Sequence, residues 1–157
     1  MIKNNPNISL DARNAVADSL YQGVAETTVV TMLAQNFHWN VTGMAFGPLH
    51  DLFQKIYDDH FEAQDELAER MKAIGAYVDG RLSKMVEHSK IEECEGQISD
   101  KDMIESMLTA QETLAATLAG ASDVAAEHGD KLTEDLCISR GQTHEKFAWM
   151  LRAHLTH

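Results

Sequence analysis

Two separated pairs of residues in this chain have the chemistry of metal ligands. His38 and His50 bracket the stretch that begins His38-Trp39-Asn40-Val41-Thr42-Gly43, and Asp65 and Glu69 follow about four helical turns later. Imidazole nitrogen combined with carboxylate oxygen is a donor set that suits iron. One straight helix cannot gather all four. Fifteen residues separate His50 from Asp65, which is ~22 Å at a rise of ~1.5 Å per residue, whereas ligands sit only ~2 Å from their ion. If the four act together, two chains must supply them. The competing reading is plain: a lone His or Asp on a helix is usually a solvated or hydrogen-bonded surface residue.

The helices that must carry these residues are legible. With Pro6 and Pro48 the only prolines, long helices are permitted almost everywhere. Ser9 is a good cap for a first helix running to about Val41, with Ala17, Leu20, Val24, Thr28, Thr31 and Gln35 along one face. Gly43 to Gly47 reads as a turn, and Pro48 suits the first turn of the next helix. Leu49, Phe53, Ile56, His60, Ala63, Leu67, Met71 and Ile74 then step by three and four, and Gly75 ends the helix. His60 on this stripe reads as a satisfied core histidine rather than a ligand.

Residues 76–98 form a long connection in which Arg81 to Ser89 predicts a short helix. Ser99-Asp100-Lys101-Asp102 resembles a capping box with Asp in place of Glu. It opens a third long helix that buries Met103, Met107, Gln111, Leu114, Leu118 and Ala121. Gly129 and Asp130 stop it and cap a fourth, predicted to bury Leu132, Leu136, Ser139, Thr143, Phe147 and Met150. The economical fold is all-α: a ferritin-like four-helix bundle, with a short extra helix in the long connection between helices two and three. That connection lets helices two and three run parallel. The chain reads as a single domain, 1–157, with residues 1–8 a short N-terminal tail.

Composition excludes several functions. Asp and Glu number 25 against 13 Lys and Arg, a formal charge of −12. Phosphate recognition needs a basic face, so general attraction to nucleic acid is not expected. The acidity fits either a solvated surface or a protein that gathers cations. Cys94 and Cys137 are far apart and read as free thiols. No apolar run reaches membrane-span length and no signal core is present, so a cytoplasmic location is expected.

A within-chain di-iron site in such a bundle needs Glu-x-x-His on each of two helices. Three residues before the eight histidines stand Gln35, Gly47, Tyr57, Met85, Ala125, Gly141, Leu151 and His154. None is Glu, so that site is absent. On a helical wheel of about 100° per residue with His50 at zero, Gln54 falls near 40°, Asp65 near 60° and Glu69 near 100°. A second copy of this helix, antiparallel across a twofold axis, would set His50 of one chain near Asp65 and Glu69 of the other.

The runs His38-Trp39-Asn40-Val41-Thr42-Gly43, Leu49-His50 and Asp65-Glu66-Leu67-Ala68-Glu69-Arg70, closed by Ile74-Gly75, resemble the Dps family of mini-ferritins. The likeness covers the whole chain in length and helix plan and is most specific over residues 35–75. It implies a homo-oligomeric hollow dodecamer with a ferroxidase site at each twofold interface. His38 and His50 would come from one subunit and Asp65 and Glu69 from the next. It also implies one or two iron ions per site, Fe²⁺ and hydrogen peroxide as substrates, and Fe³⁺ mineral stored inside against oxidative damage.

One position departs from the family. Four residues after the second histidine the family usually has Asp or Glu, and here Gln54 stands. An amide oxygen can ligate iron but brings no charge. Either the second iron position is weakened, with Asp51 or Asp58 assisting through water, or Gln54 is simply tolerated. Trp39 is either a radical quencher or a packed interface aromatic. Glu127, Asp130 and Glu134 are either an iron entry pore or a solvated helix end. The methionines read as core gap fillers, Trp149 as structural, and His154 and His157 as solvated.

DNA-binding members use Lys/Arg-rich tails. Here only Lys3 precedes Ser9, and only Arg152 follows Lys146, so direct DNA binding is expected to be weak or absent. The alternative function is a structural or DNA-associated shell with a weakened oxidation site.

Overall fold

The computed structural model describes residues 5–156. Lys3 and the rest of residues 1–4, with His157, lie outside the described residues. Among the described residues all the regular elements are helices: α1 Leu10–Asn40, α2 Phe46–Ala73, α3 Leu82–His88, α4 Asp100–Glu127 and α5 Lys131–Ala153. None is long and apolar enough to cross a membrane.

The termini follow local chemistry. Ser9 accepts from the Ala12 amide, Ser99 from the Asp102 amide and Asp130 from the Thr133 amide, each satisfying an orphan donor of the first turn. Helix α2 begins two residues before Pro48, at Phe46, whose N–H reaches Gly43 O at 3.1 Å. Proline at the third position loses nothing, because that N–H has no partner within the helix. Gly75, at φ +92°, closes α2, and the Ala76 amide returns to Met71 O at 2.9 Å.

Contacts between helices set the directions. Helices α1 and α2 pack as one hairpin and α4 and α5 as another. The end of α1 meets the start of α4, because Gly43 abuts Asp100. Further along, Glu26 accepts from Thr117. Helix α1 is therefore antiparallel to both α2 and α4, and α2 and α4 run parallel, as the long connection predicts. The connection is pinned to α1: Tyr21 donates to Asp79 O, Gln22 to His88 O, and the Lys90 amide to the buried Glu26 carboxylate.

The core has two apolar clusters. One centres on Phe37, Leu49, Phe53, Ile56 and Met107; the other on Leu20, Val24, Leu67, Met71 and Leu118. All eight stripe positions of α2 and all six of α4 are buried, as expected. Three expectations are corrected. In α1, Thr28, Thr31 and Gln35 are only half-buried, and Val30, Leu33, Ala34 and Phe37 take the interior. A straight helix drifts against a seven-residue repeat, and this one also packs against α2, α3 and α4.

In α5 the buried face lies one residue further on: Thr133, Cys137, Arg140, His144, Ala148 and Leu151. Leu132 is 71% exposed and Ser139 is exposed, while Leu136, Phe147 and Met150 flank the core. The helix turns towards partners for Arg140 and His144 rather than towards the most apolar stripe. Finally, Met71, Met85, Met103 and Met107 fill the core, but Met32, Met44 and Trp149 are exposed.

Candidate metal centre

The short turn 41–45 folds the end of α1 back beside the start of α2 and brings His38 against His50. The two residues bond reciprocally. His38 Nδ1 lies 2.7 Å from His50 O, and His50 Nδ1 lies 2.7 Å from His38 O. A carbonyl only accepts, so each Nδ1 carries the proton. In the neutral rings both Nε2 atoms then hold the lone pair a metal needs. The rings stack with centroids 3.6 Å apart and planes 17° from parallel. Phe46 stacks on the far side of His50 at 5.1 Å, and the edge of Tyr57 meets His38 at 5.3 Å. Aromatic packing and two backbone bonds thus hold both rings in place.

Asp65 and Glu69 lie exposed on one face of α2, one turn apart. Gln54 is exposed one turn after His50, and Asp51 and Asp58 are exposed too. Among the described residues, no three His, Cys, Asp or Glu side chains of one chain are grouped to hold a metal. Of the proposed ligands the single subunit brings together the histidines and leaves the carboxylates apart from them.

The acidic group near the α4–α5 turn divides. Glu127 is exposed and Glu134 half-buried. Asp130 is committed elsewhere: it caps α5 through the Thr133 amide and hydroxyl and receives Arg70 Nη2 at 3.0 Å.

Both the sequence and the fold have known relatives. A family model described as a ferritin-like domain matches residues 17–157. The "DNA protection during starvation protein" of Brevibacillus brevis is 36% identical over 140 residues, covering 89% of this chain and 94% of that protein. "DNA protection during starvation protein 2" of Bacillus anthracis is 33% identical over 140 residues, covering 89% and 96%. The crystal structure of Dps from Staphylococcus aureus matches with a TM-score of 0.88 at 32% identity, over 90% of this chain and 95% of that one. The chain belongs to the ferritin-like Dps family. A Dps protein from Vibrio cholerae, described as a member of a broad superfamily of ferritin-like diiron-carboxylate proteins, matches with a TM-score of 0.92 at 27% identity over 99% of both chains.

Two features of this Dps chain escaped the sequence reading. Phe46 and Tyr57 flank the imidazoles, and spacing alone does not mark either of them: Phe46 is exposed and Tyr57 half-buried. The second is a polar group in the bundle interior: Asp59, His60, Gln111, Arg140 and His144. His60 is fully buried and bonded through both nitrogens, as a satisfied core histidine should be. The members of the group on α5 could have been found from the four-residue Arg140–His144 spacing, which puts both on one helix face.

Proposed function

We propose that this Dps protein oxidises Fe²⁺ with hydrogen peroxide at sites shared between subunits and stores the Fe³⁺ as mineral inside a hollow dodecamer in the cytoplasm. The observation that carries the reading is the reciprocal His38–His50 pair. Its bonding directs two Nε2 lone pairs away from the backbone, on a half-buried surface. Asp65 and Glu69 of a neighbouring copy would complete the ligand set, in keeping with their exposure and their distance along α2.

Bound imidazole and carboxylate orient the iron, and the carboxylates offset its growing positive charge. Two Fe²⁺ each lose one electron. Hydrogen peroxide takes both, its O–O bond breaks, and two protons complete two waters. Paired one-electron losses avoid hydroxyl radical, which is the protective chemistry. Exposed apolar residues along the groove between α1 and α3, among them Met32, Trp39, Leu82 and Val86, suit a surface that another subunit covers. Glu127 and Glu134 keep the entry-pore reading open, with Asp130 structural.

Complementation between variants tests the sharing. His38→Ala/His50→Ala and Asp65→Ala/Glu69→Ala proteins should each oxidise Fe²⁺ at a small fraction of the wild-type rate. Mixed, dissociated and reassembled, they should recover about a quarter of it, because half of the random twofold pairs are mixed and each restores one of two sites. No recovery in verified mixed oligomers would refute sharing. The second reading, an inert shell, rests on neutral Gln54. It predicts that the wild type oxidises iron no faster than the double-histidine variant. Direct DNA binding is expected to be weak, because a charge of −12 opposes phosphate. Tight, salt-sensitive retardation in a gel shift would reverse that expectation.

A further inference from the structure

We propose that the polar ring in the middle of each subunit is an acid-sensitive catch: proton uptake by its two buried imidazoles releases α5 from α2 and α4. Along α2 and α5 the ring lies between the residues of one apolar cluster and those of the other, and it joins three helices. Arg140 Nη2 approaches His144 Nε2 at 3.3 Å, and His144 Nδ1 lies 2.8 Å from Gln111 Oε1. Gln111 Nε2 lies 2.9 Å from His60 Nε2, and His60 Nδ1 lies 3.0 Å from Asp59 Oδ2. Arg140 closes the circle with two bonds to Asp59, at 3.1 and 2.7 Å.

The ends dictate every proton. A guanidinium only donates and a carboxylate only accepts. The bonds therefore run one way, from Arg140 through His144, Gln111 and His60 to Asp59. Both histidines must be neutral, protonated on Nδ1 and accepting on Nε2. An added proton has no place. On His144 it would put an N–H against the Arg140 guanidinium. On His60 it would face the Gln111 amide N–H₂. Flipping Gln111 only moves the clash, because its amino group would then meet His144 Nδ1–H, and a shifted His144 tautomer would meet Arg140.

His60, Gln111 and His144 are fully buried. The charged groups facing the imidazoles are Asp59 from α2 and Arg140 from α5, while α4 offers only neutral Gln111. On α1, the buried Glu26 is engaged by Gln22, Thr117 and the Lys90 amide. Burial pushes both imidazoles below their ordinary range; Asp59 opposes it at His60, and the Arg140 guanidinium adds to it at both.

The sign follows. An open state takes protons from about pH 6.5 downward, whereas the closed ring refuses them. The opening equilibrium therefore rises by up to about 100-fold per pH unit below that point, tenfold for each histidine. Asp59 acts in a different window. Burial raises its carboxyl, but bonds from His60 and Arg140 outweigh this and hold it well below the usual range. Its contribution is lost only below about pH 4.

Hydrogen–deuterium exchange on the assembled full-length protein, read by mass spectrometry at pH 7.5 and 5.5 and corrected for intrinsic exchange, tests the catch. Peptides covering residues 107–118 and 137–148 should lose at least tenfold protection at pH 5.5. The His60→Gln/His144→Gln variant should lose far less, and His128→Gln, at an exposed site, should match wild type. Unchanged wild-type protection overturns the proposal, and this arm stands even if the double variant does not fold. Loss that begins at the His38–His50 turn, or an equal loss in a folded double variant, also overturns it.

Discussion

Gly43 lies so close to Asp100 that a Cβ built on it would sit 2.7 Å from the carboxylate Oδ2. The turn that pairs His38 with His50 is thereby seated on the first residue of α4. In Gly43→Ala the carboxylate can swing aside, but φ +107° remains a conformation that an L side chain rarely adopts. The variant should lose about 1–3 kcal/mol of stability, read by urea unfolding. Its Fe²⁺ affinity should fall as the histidine pair loosens. Unchanged values for both would show that the turn tolerates a side chain.

Gln54→Glu should strengthen iron binding. Gln54 is exposed one turn after His50, and a carboxylate there would add charge where the amide adds only a dipole. Calorimetric titration should show on the order of tenfold tighter binding of the weaker Fe²⁺, equivalent to ~1.4 kcal/mol. Identical isotherms would place Gln54 outside the coordination sphere.

Arg140→Met should be among the more damaging interior substitutions. It leaves Asp59 without its cation, His144 Nε2 without a donor and α5 without one of its links to α2. Removing one member of a buried ion pair costs ~3–5 kcal/mol. Asp59 is 28% exposed in its side chain, so the expected loss is nearer ~2–3 kcal/mol after screening. Adding Asp59→Asn should cost less than its effect alone, which a double-mutant cycle in urea measures. Strict additivity would mean that the pair is not coupled.

Cys137 should resist alkylation in the native protein. Burial, with a contribution from the Asp130 carboxylate, pushes its thiol up to about 12, and only the thiolate is nucleophilic. Iodoacetamide at pH 8 should leave it unmodified by peptide mass, with modification appearing once guanidinium unfolds the protein. Rapid native labelling would show that α5 opens readily at that pH.

Helix limits were legible because their signals are local. Ser9, Ser99, Gly75, Gly129 and Asp130 act within a turn of themselves, and the stripes of α2 and α4 are strongly periodic. The rotation of α5 was not legible. Apolar periodicity favours Leu132, Leu136 and Phe147, whereas the observed face satisfies Arg140 and His144. Leaving those groups buried without partners would cost more than the extra apolar burial returns. Asp130 shows the same limit: its partner Arg70 lies sixty residues away.

By itself the sequence determined that one chain could not close the His38, His50, Asp65 and Glu69 set, because helical rise keeps fifteen residues of α2 far apart. It also excluded a within-chain Glu-x-x-His site, since no histidine has Glu three residues before it. Only the tertiary structure decided that His38 and His50 bond each other's carbonyls and keep Nε2 free. It alone joined Asp59, His60, Gln111, Arg140 and His144 into one directed ring. Those choices depend on which distant groups meet when hairpins pack, and directional bonds in a dry interior admit few arrangements.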